Sequence, residues 1–176
     1  MKELNCDYLI VGAGAAGCVV SNRLSNNPNN NVICIEAGGK DTNFYIKIPA
    51  GFSKTVYNDK INWPYYTEET DNTANRKIRF PRGKVVGGSS SINGHLYVRG
   101  QADDYDGWAQ KGCLGWSWSD VLPYFMKAET RPAGNKNYRG GKGPLYISDL
   151  KSPHPFAKLF IETAHGMGIK KNMDYN

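Results

Sequence analysis

Gly12-Ala13-Gly14-Ala15-Ala16-Gly17 narrows what this chain can fold into more than any other segment. The bare string G-x-G-x-x-G is common by chance, so its neighbours decide its meaning. Before it runs a short apolar segment, Asp7 to Val11, that stops at Gly12. After it comes Ala15 to Leu24, rich in Ala and Val with apolar residues at helical spacing. Asn-rich Ser25 to Asn31, with Pro28, turns the chain back into a second apolar run, Val32 to Glu36. Both runs read as buried parallel strands, so the unit is β-α-β. Gly12 makes the tight turn, Gly14 lets backbone approach a pyrophosphate, and Gly17 permits close helix–strand packing. The helix N-terminus offers unpaired N–H groups and a positive dipole end to phosphate. Glu36, 22 positions beyond Gly14, stands where a carboxylate accepts hydrogen bonds from a ribose diol and repels a 2′-phosphate. The motif disfavours NADP and leaves FAD and NAD both open.

A second block, Arg82-Gly83-Lys84-Val85-Val86-Gly87-Gly88-Ser89-Ser90-Ser91-Ile92-Asn93-Gly94, has related chemistry. Gly87 and Gly88 allow an unhindered turn, and the serines present hydroxyls and free N–H groups where Ser89 to Val98 is expected to open a helix. The block reads as a second anion or cofactor cradle. Asn93 adds an amide that both donates and accepts. Apolar Val85, Val86, Ile92 and Leu96 flank it, which a surface linker would not need.

Between the two blocks, residues 38–82 lose periodicity and carry isolated aromatics, Trp63, Tyr65 and Tyr66. Long loops of this kind in compact domains are usually functional. Further on, Trp118 to Ala128 reads as a helix capped by Ser119 with Pro123 in its first turn. Arg131 to Gly143 reads as a loop or linker, Pro144 to Ser148 as a strand, and Pro155 to Met167 as an amphipathic helix.

The 22 Lys and Arg against 16 Asp and Glu give a charge of +6, which on its face permits nucleic acid or an anionic surface as partner. Five of the nine residues from Arg76 to Lys84 are basic, and these read as a solvated loop face; no nucleic-acid partner is expected. Cys6, Cys18, Cys34 and Cys113 show no C-x-x-C spacing and no partnering His cluster, so no metal site is expected. Free cysteines beside strands behave as small hydrophobes and make a reduced, cytoplasmic setting the default. The Met1 to Asn5 start lacks the features of a signal peptide, and no apolar run reaches membrane-spanning length.

From Gly83 to Asp106 the sequence resembles the first signature of the glucose-methanol-choline oxidoreductases, most of all their choline dehydrogenase-like members. Asn62-Trp63-Pro64-Tyr65, Gly115-Trp116-Ser117, Leu122-Pro123-Tyr124-Phe125, Gly143-Pro144-Leu145 and Asp174-Tyr175-Asn176 are weaker matches of the same kind. The resemblance implies an α/β fold: a Rossmann-like FAD-binding domain with a doubly wound parallel sheet, here incomplete, and the start of an α+β substrate domain. The FAD part is expected over 1–130, and a linker with the opening of the substrate part over 131–176. By resemblance, Gly12, Gly14, Gly17 and Glu36, with Ala15 and Ala37 beside them, hold the ADP half of FAD. Val85, Gly87, Gly88, Ser89, Asn93, Gly94 and Leu96 lie toward the flavin. Members with covalent flavin carry histidine directly before the Asn; here that residue is Ile92, so dissociable FAD is expected.

The implied activity is oxidation of choline or a similar primary alcohol by hydride transfer to flavin. The electron acceptor is not specified, and peripheral membrane association of a full-length enzyme stays open. The family's acid-base histidine lies near the C-terminus of a much longer chain, and none of His95, His154 and His165 matches it. No catalytic residue is assigned, and the chain alone is expected to be inactive. Two other classes remain: an NAD-dependent Rossmann dehydrogenase, which leaves the Gly-Gly-Ser block unexplained, and a non-enzymatic basic binding module, supported only by charge.

Overall fold

The computed structural model describes residues 3–134 and 136–176; Met1 and Lys2, at the head of the N-terminal segment, and Asn135, in the 131–143 loop, lie outside the described residues. The chain forms two compact units that divide between Leu96 and Tyr97. Residue 130, the boundary expected from sequence, falls inside the second.

In the first unit, β1 (Tyr8–Val11), α1 (Ala15–Ser25) and β2 (Val32–Ile35) make the expected β-α-β. The strands are parallel, with Tyr8 opposite Val32 and Val11 opposite Ile35. Asn30 ends the helix by donating from Nδ2 to the Leu24 carbonyl at 2.9 Å. The Asp7 carboxylate then accepts the Asn31 N–H at 2.7 Å, which sets the start of β2 beside β1. Gly17 shows why a side chain is excluded from this position, because a Cβ there would fall 1.9 Å from the Gly12 carbonyl oxygen. The strands were expected to be buried, yet Leu9 is 57% exposed, Val11 77% and Ile35 48%. Only two strands are hydrogen-bonded in this sheet, so apolar faces that a wider sheet would cover stay open.

The 38–82 excursion is an ordered arm. It runs through 3₁₀ turns and the one-turn helix α2 (Phe52–Thr55), then returns as an antiparallel pair, β3 (Asn62–Trp63) with β4 (Arg82–Gly83). Asn62 is buried and donates to the Thr55 and Asn58 carbonyls at 2.7 and 2.9 Å. Thr55, also buried, donates to the Ile92 carbonyl at 3.3 Å. With Val85 and Ile92 these residues form a small core beneath the Gly-Gly-Ser block. The helix expected from Ser89 to Val98 is only a 3₁₀ turn, Gly88–Ser91. It stops because Asn93 Oδ1 accepts the His95 N–H at 3.1 Å, and His95 sits at φ +58, a local turn that competes with helix.

The basic run from Arg76 to Lys84 stays at the surface, with Arg76, Lys77 and Arg82 exposed and Arg79 and Lys84 half-buried. Lys77 pairs with Glu69 and Arg79 with Asp59, while Arg82 lies over the Phe80 ring and Lys84 over Trp63. The run is thus the solvated face expected from sequence, with several of its charges paired or stacked along the surface.

The second unit holds α3 (Ala102–Gln110), α4 (Trp118–Ala128), the parallel pair β5 (Glu129–Thr130) with β6 (Leu145–Tyr146), and α5 (Pro155–Gly166). Tyr105 joins the helices, with its ring 5.4 Å from Trp108 and 5.7 Å from Trp118 and Phe125. The cap of α4 is Ser117, two residues before the expected Ser119, because the Ser117 N–H donates to the Asp120 carboxylate at 3.0 Å and closes a capping box. Pro123 consequently lies past the first turn, inside the helix. The strand expected over 144–148 is the pair Leu145–Tyr146, and α5 ends at Gly166.

The 131–143 segment is not a free linker, since it closes on the centre of the unit. Glu129 is completely buried. Its carboxylate accepts from the Gly140 N–H at 2.9 Å and from Arg139 Nη1 at 3.2 Å. Arg99 Nη2 approaches it at 2.9 Å as a charge contact without hydrogen-bond alignment. Arg139 also grips Asp174, donating from Nε at 2.7 Å. That hydrogen bond holds the Asp174 carboxyl below its ordinary value of 3.8. A lowered pKa in the folded state contributes stability above the ordinary value and loses it as pH falls through the lowered one. Acid melting should therefore destabilise this unit below about pH 4, and Asp174→Asn should flatten that acid limb. Equal pH dependence in both proteins, followed by circular dichroism, would refute the link.

Candidate functional site

The first unit contains a cavity of about 830 Å³ built around the two glycine cradles. Val11, Gly12, Gly14, Ala15, Ala16 and Gly17 line it from β1 and the head of α1, and Ile35, Glu36 and Ala37 from the end of β2. Trp63, Tyr65, Arg82 and Gly83 come from the β3–β4 arm, and Gly88, Ser89 and Ser90 from the second block. The two cradles touch directly: a Cβ on Gly88, whose φ is +57, would lie 2.9 Å from the Cα of Gly14. The Gly87 N–H donates to the Ala13 carbonyl at 2.7 Å, and Gly39 bridges Val85 in parallel, so the second block is tied to the first βα turn.

No side chain caps α1, whose N-cap is Gly14. The first N–H groups of a helix have no intrahelical partner and need an acceptor. Opposite them, Glu36 spans the rim. Its Oε2 accepts the Ala13 N–H at 2.7 Å and its Oε1 the Gly38 N–H at 2.8 Å. The carboxylate thus braces the glycine turn against the end of β2, a role that spacing alone did not reveal. Each oxygen keeps a second lone pair for a hydroxyl donor. Among the lining residues, Glu36 is the one acid and Arg82 the one base. The site can therefore take a phosphorylated, ribose-bearing ligand at its glycine end and a planar ring along Trp63 and Tyr65.

Of the residues singled out from sequence, Gly12, Gly14, Ala15, Gly17, Glu36, Ala37, Gly88 and Ser89 meet at this cavity. Val85, Gly87, Asn93, Gly94 and Leu96 are outside its lining. The Val85 side chain is fully buried, and its carbonyl accepts the Gly88 N–H at 2.7 Å, so it shapes the turn from below. Asn93 spends its carbonyl on the turn to His95, and Leu96 is 80% exposed. Trp63, Tyr65 and Arg82 were not among the assigned site residues. The available signal was alternation, since Trp63 and Tyr65, two apart, share one side of an extended segment.

Parallel strands, a glycine turn opening a helix and an acid at the end of the second strand define a dinucleotide-binding α/β unit. The chain belongs to the GMC oxidoreductase family, whose model matches residues 6–176. It is 42% identical over 173 residues to the oxygen-dependent choline dehydrogenase of Sinorhizobium fredii, covering 98% of this chain and 32% of that protein. Among solved structures it is similar to pyridoxine 4-oxidase from Mesorbium loti, with a TM-score of 0.85 and 36% identity over 92% of this chain and 32% of that one. An FAD-dependent oxidoreductase from Chaetomium thermophilum superposes with a TM-score of 0.82 at 32% identity, covering 94% of this chain and 30% of that one. The chain thus spans about a third of the length of the proteins it matches. Membership of this family sets aside the nicotinamide-dependent alternative. Among the described residues no helix is long and apolar enough to cross a membrane.

Proposed function

We propose that this chain holds FAD for an alcohol oxidoreductase, with residues 1–130 serving the cofactor and 131–176 opening the substrate side. The observation that carries the reading is the convergence of two glycine cradles on one cavity, Gly14 against Gly88, with an uncapped helix N-terminus and Glu36 at its rim. The residues fit the cofactor. Any side chain at Gly88 would push into Gly14, and the space before Gly12 and Gly14 stays clear for a pyrophosphate. In this reading the α1 N–H groups receive the phosphates, Glu36 receives ribose hydroxyls, and Val85, Gly87, Asn93, Gly94 and Leu96 serve the flavin end. Ile92 is 3% exposed and offers no nucleophile, which supports dissociable rather than covalent flavin.

When bound, FAD supplies the two-electron acceptor for oxidation of a CH–OH group. Choline, or a primary alcohol like it, is the proposed substrate, on the strength of the choline dehydrogenase relatives. The electron acceptor is left unspecified, and a cytoplasmic or membrane-peripheral location belongs to the same proposal. No residue here is assigned to catalysis, so residues 1–176 are expected to bind FAD without oxidising choline or simple alcohols.

Glu36→Ala tests the site. It removes the acceptor for a ribose hydroxyl and leaves the Ala13 and Gly38 N–H groups unpaired. FAD affinity, followed by quenching of flavin fluorescence, should fall by about 1.5–3 kcal/mol, roughly 10- to 150-fold. Unchanged affinity would refute the assignment of Glu36.

A further inference from the structure

The β3–β4 arm carries an arrangement that the cofactor motifs do not explain. Its register continues past the two paired residues, since the Lys84 N–H donates to the Ile61 carbonyl at 2.8 Å and the Phe80 N–H to the Tyr65 carbonyl at 2.9 Å. Trp63 stands opposite Arg82, so Trp63 and Tyr65 share one face of the arm with Phe80, Arg82 and Lys84. That face supplies Trp63, Tyr65 and Arg82 to the cavity. On it Lys84 Nζ lies 4.5 Å from the Trp63 ring centroid, and the Trp63 and Tyr65 rings are within 5° of parallel with centroids 6.0 Å apart.

The main chain of Lys84 is held independently of its side chain. A Cβ on Gly38 would fall 2.0 Å from the Lys84 carbonyl oxygen, and the next residue, Val85, is fully buried. Lys47, Lys77 and Lys171 each pair with a carboxylate. Among the described residues Lys84 Nζ has no ion-pair or hydrogen-bond partner, and the indole is the group it meets. A cation so placed is attracted by the ring's electron-rich face and restricts how the ring can tilt.

We propose that Lys84 is a positioning residue for the cofactor: its ammonium holds Trp63 in the plane at which that ring walls the cavity. This rests on the reading that the cavity takes FAD. The side chain acts through Trp63, so its contribution to affinity should vanish with the ring. The experiment compares FAD affinity and apo melting temperature in the full chain for the wild type, K84M, K84R, W63L and the K84M/W63L double variant. K84M keeps the aliphatic stem and loses the charge. It should bind FAD about three- to tenfold more weakly at unchanged apo stability, while K84R stays within about twofold of wild type. In the W63L background K84M should cost nothing more. K84M binding as wild type does, or costing the same factor with and without Trp63, would overturn the proposal, the latter by showing plain attraction for phosphate. Should K84M melt early, K84R decides, because a tenfold loss at wild-type stability overturns the proposal as well. A wild-type chain that takes up no flavin overturns both this and the reading beneath it.

Discussion

Glu129→Ala is expected to lower the melting temperature of the transition reporting residues 97–176 by more than about 10 °C. The side chain is completely buried between two guanidinium groups, each itself almost wholly enclosed. Removing one member of a buried charged cluster strands the others in low dielectric, at a cost of about 3–5 kcal/mol. For a unit of this size each kcal/mol is worth several degrees. The Gly140 N–H also loses its acceptor. A contrast separates charge balance from packing, for exchanging Glu129, Arg99 and Arg139 together for apolar residues of similar volume should cost less than Glu129→Ala alone. A shift of under 3 °C for Glu129→Ala, read by circular dichroism, would show that this cluster does not hold the unit together.

Gly17→Val should abolish measurable FAD binding and destabilise the first unit together. A Cβ at this position meets the Gly12 carbonyl oxygen at 1.9 Å and the Ile10 side chain at 3.3 Å. Neither backbone can yield separately, because Gly12 continues the β1–β2 ladder by donating to the Ile35 carbonyl at 2.7 Å. The head of α1 would have to leave β1, taking with it the N–H groups proposed for the phosphates. Overpacking of this kind costs typically 1–3 kcal/mol or more. Gly107→Ala, in the interior of α3 with open space at its Cβ, is the control and should be neutral or slightly stabilising. Normal flavin uptake by Gly17→Val would mean that the helix and strand separate without cost.

What could be read from sequence was the chemistry that local geometry forces. Glycines at three fixed offsets, an apolar run on each side and an acid at the second strand end leave few alternatives to a nucleotide-binding β-α-β unit, since only glycine tolerates the φ of +93 at Gly12 and the contact at Gly17. The Gly-Gly-Ser block was legible as a cradle for the same reason, with φ +91 and +57 at Gly87 and Gly88. Its extent was not legible, because whether Ser89 onward stays helical depends on where Asn93 places one hydrogen bond.

Tertiary structure alone decided three things. It gave Glu36 a second role, as a brace for the Ala13 and Gly38 N–H groups, which only the parallel register brings within reach. It brought Trp63, Tyr65 and Arg82 to the cavity through a hairpin that pairs Trp63 with Arg82 across 19 positions of sequence, a partnership that the alternation of Trp63 and Tyr65 does not specify. It buried Glu129 with Arg99 and Arg139, from segments that composition marks as polar and solvated. The reason is the same in each case. Steric limits on φ, ψ and Cβ act between neighbours and are written in the order of residues, whereas the partner of a charge or a ring is set by which distant segments the fold brings together.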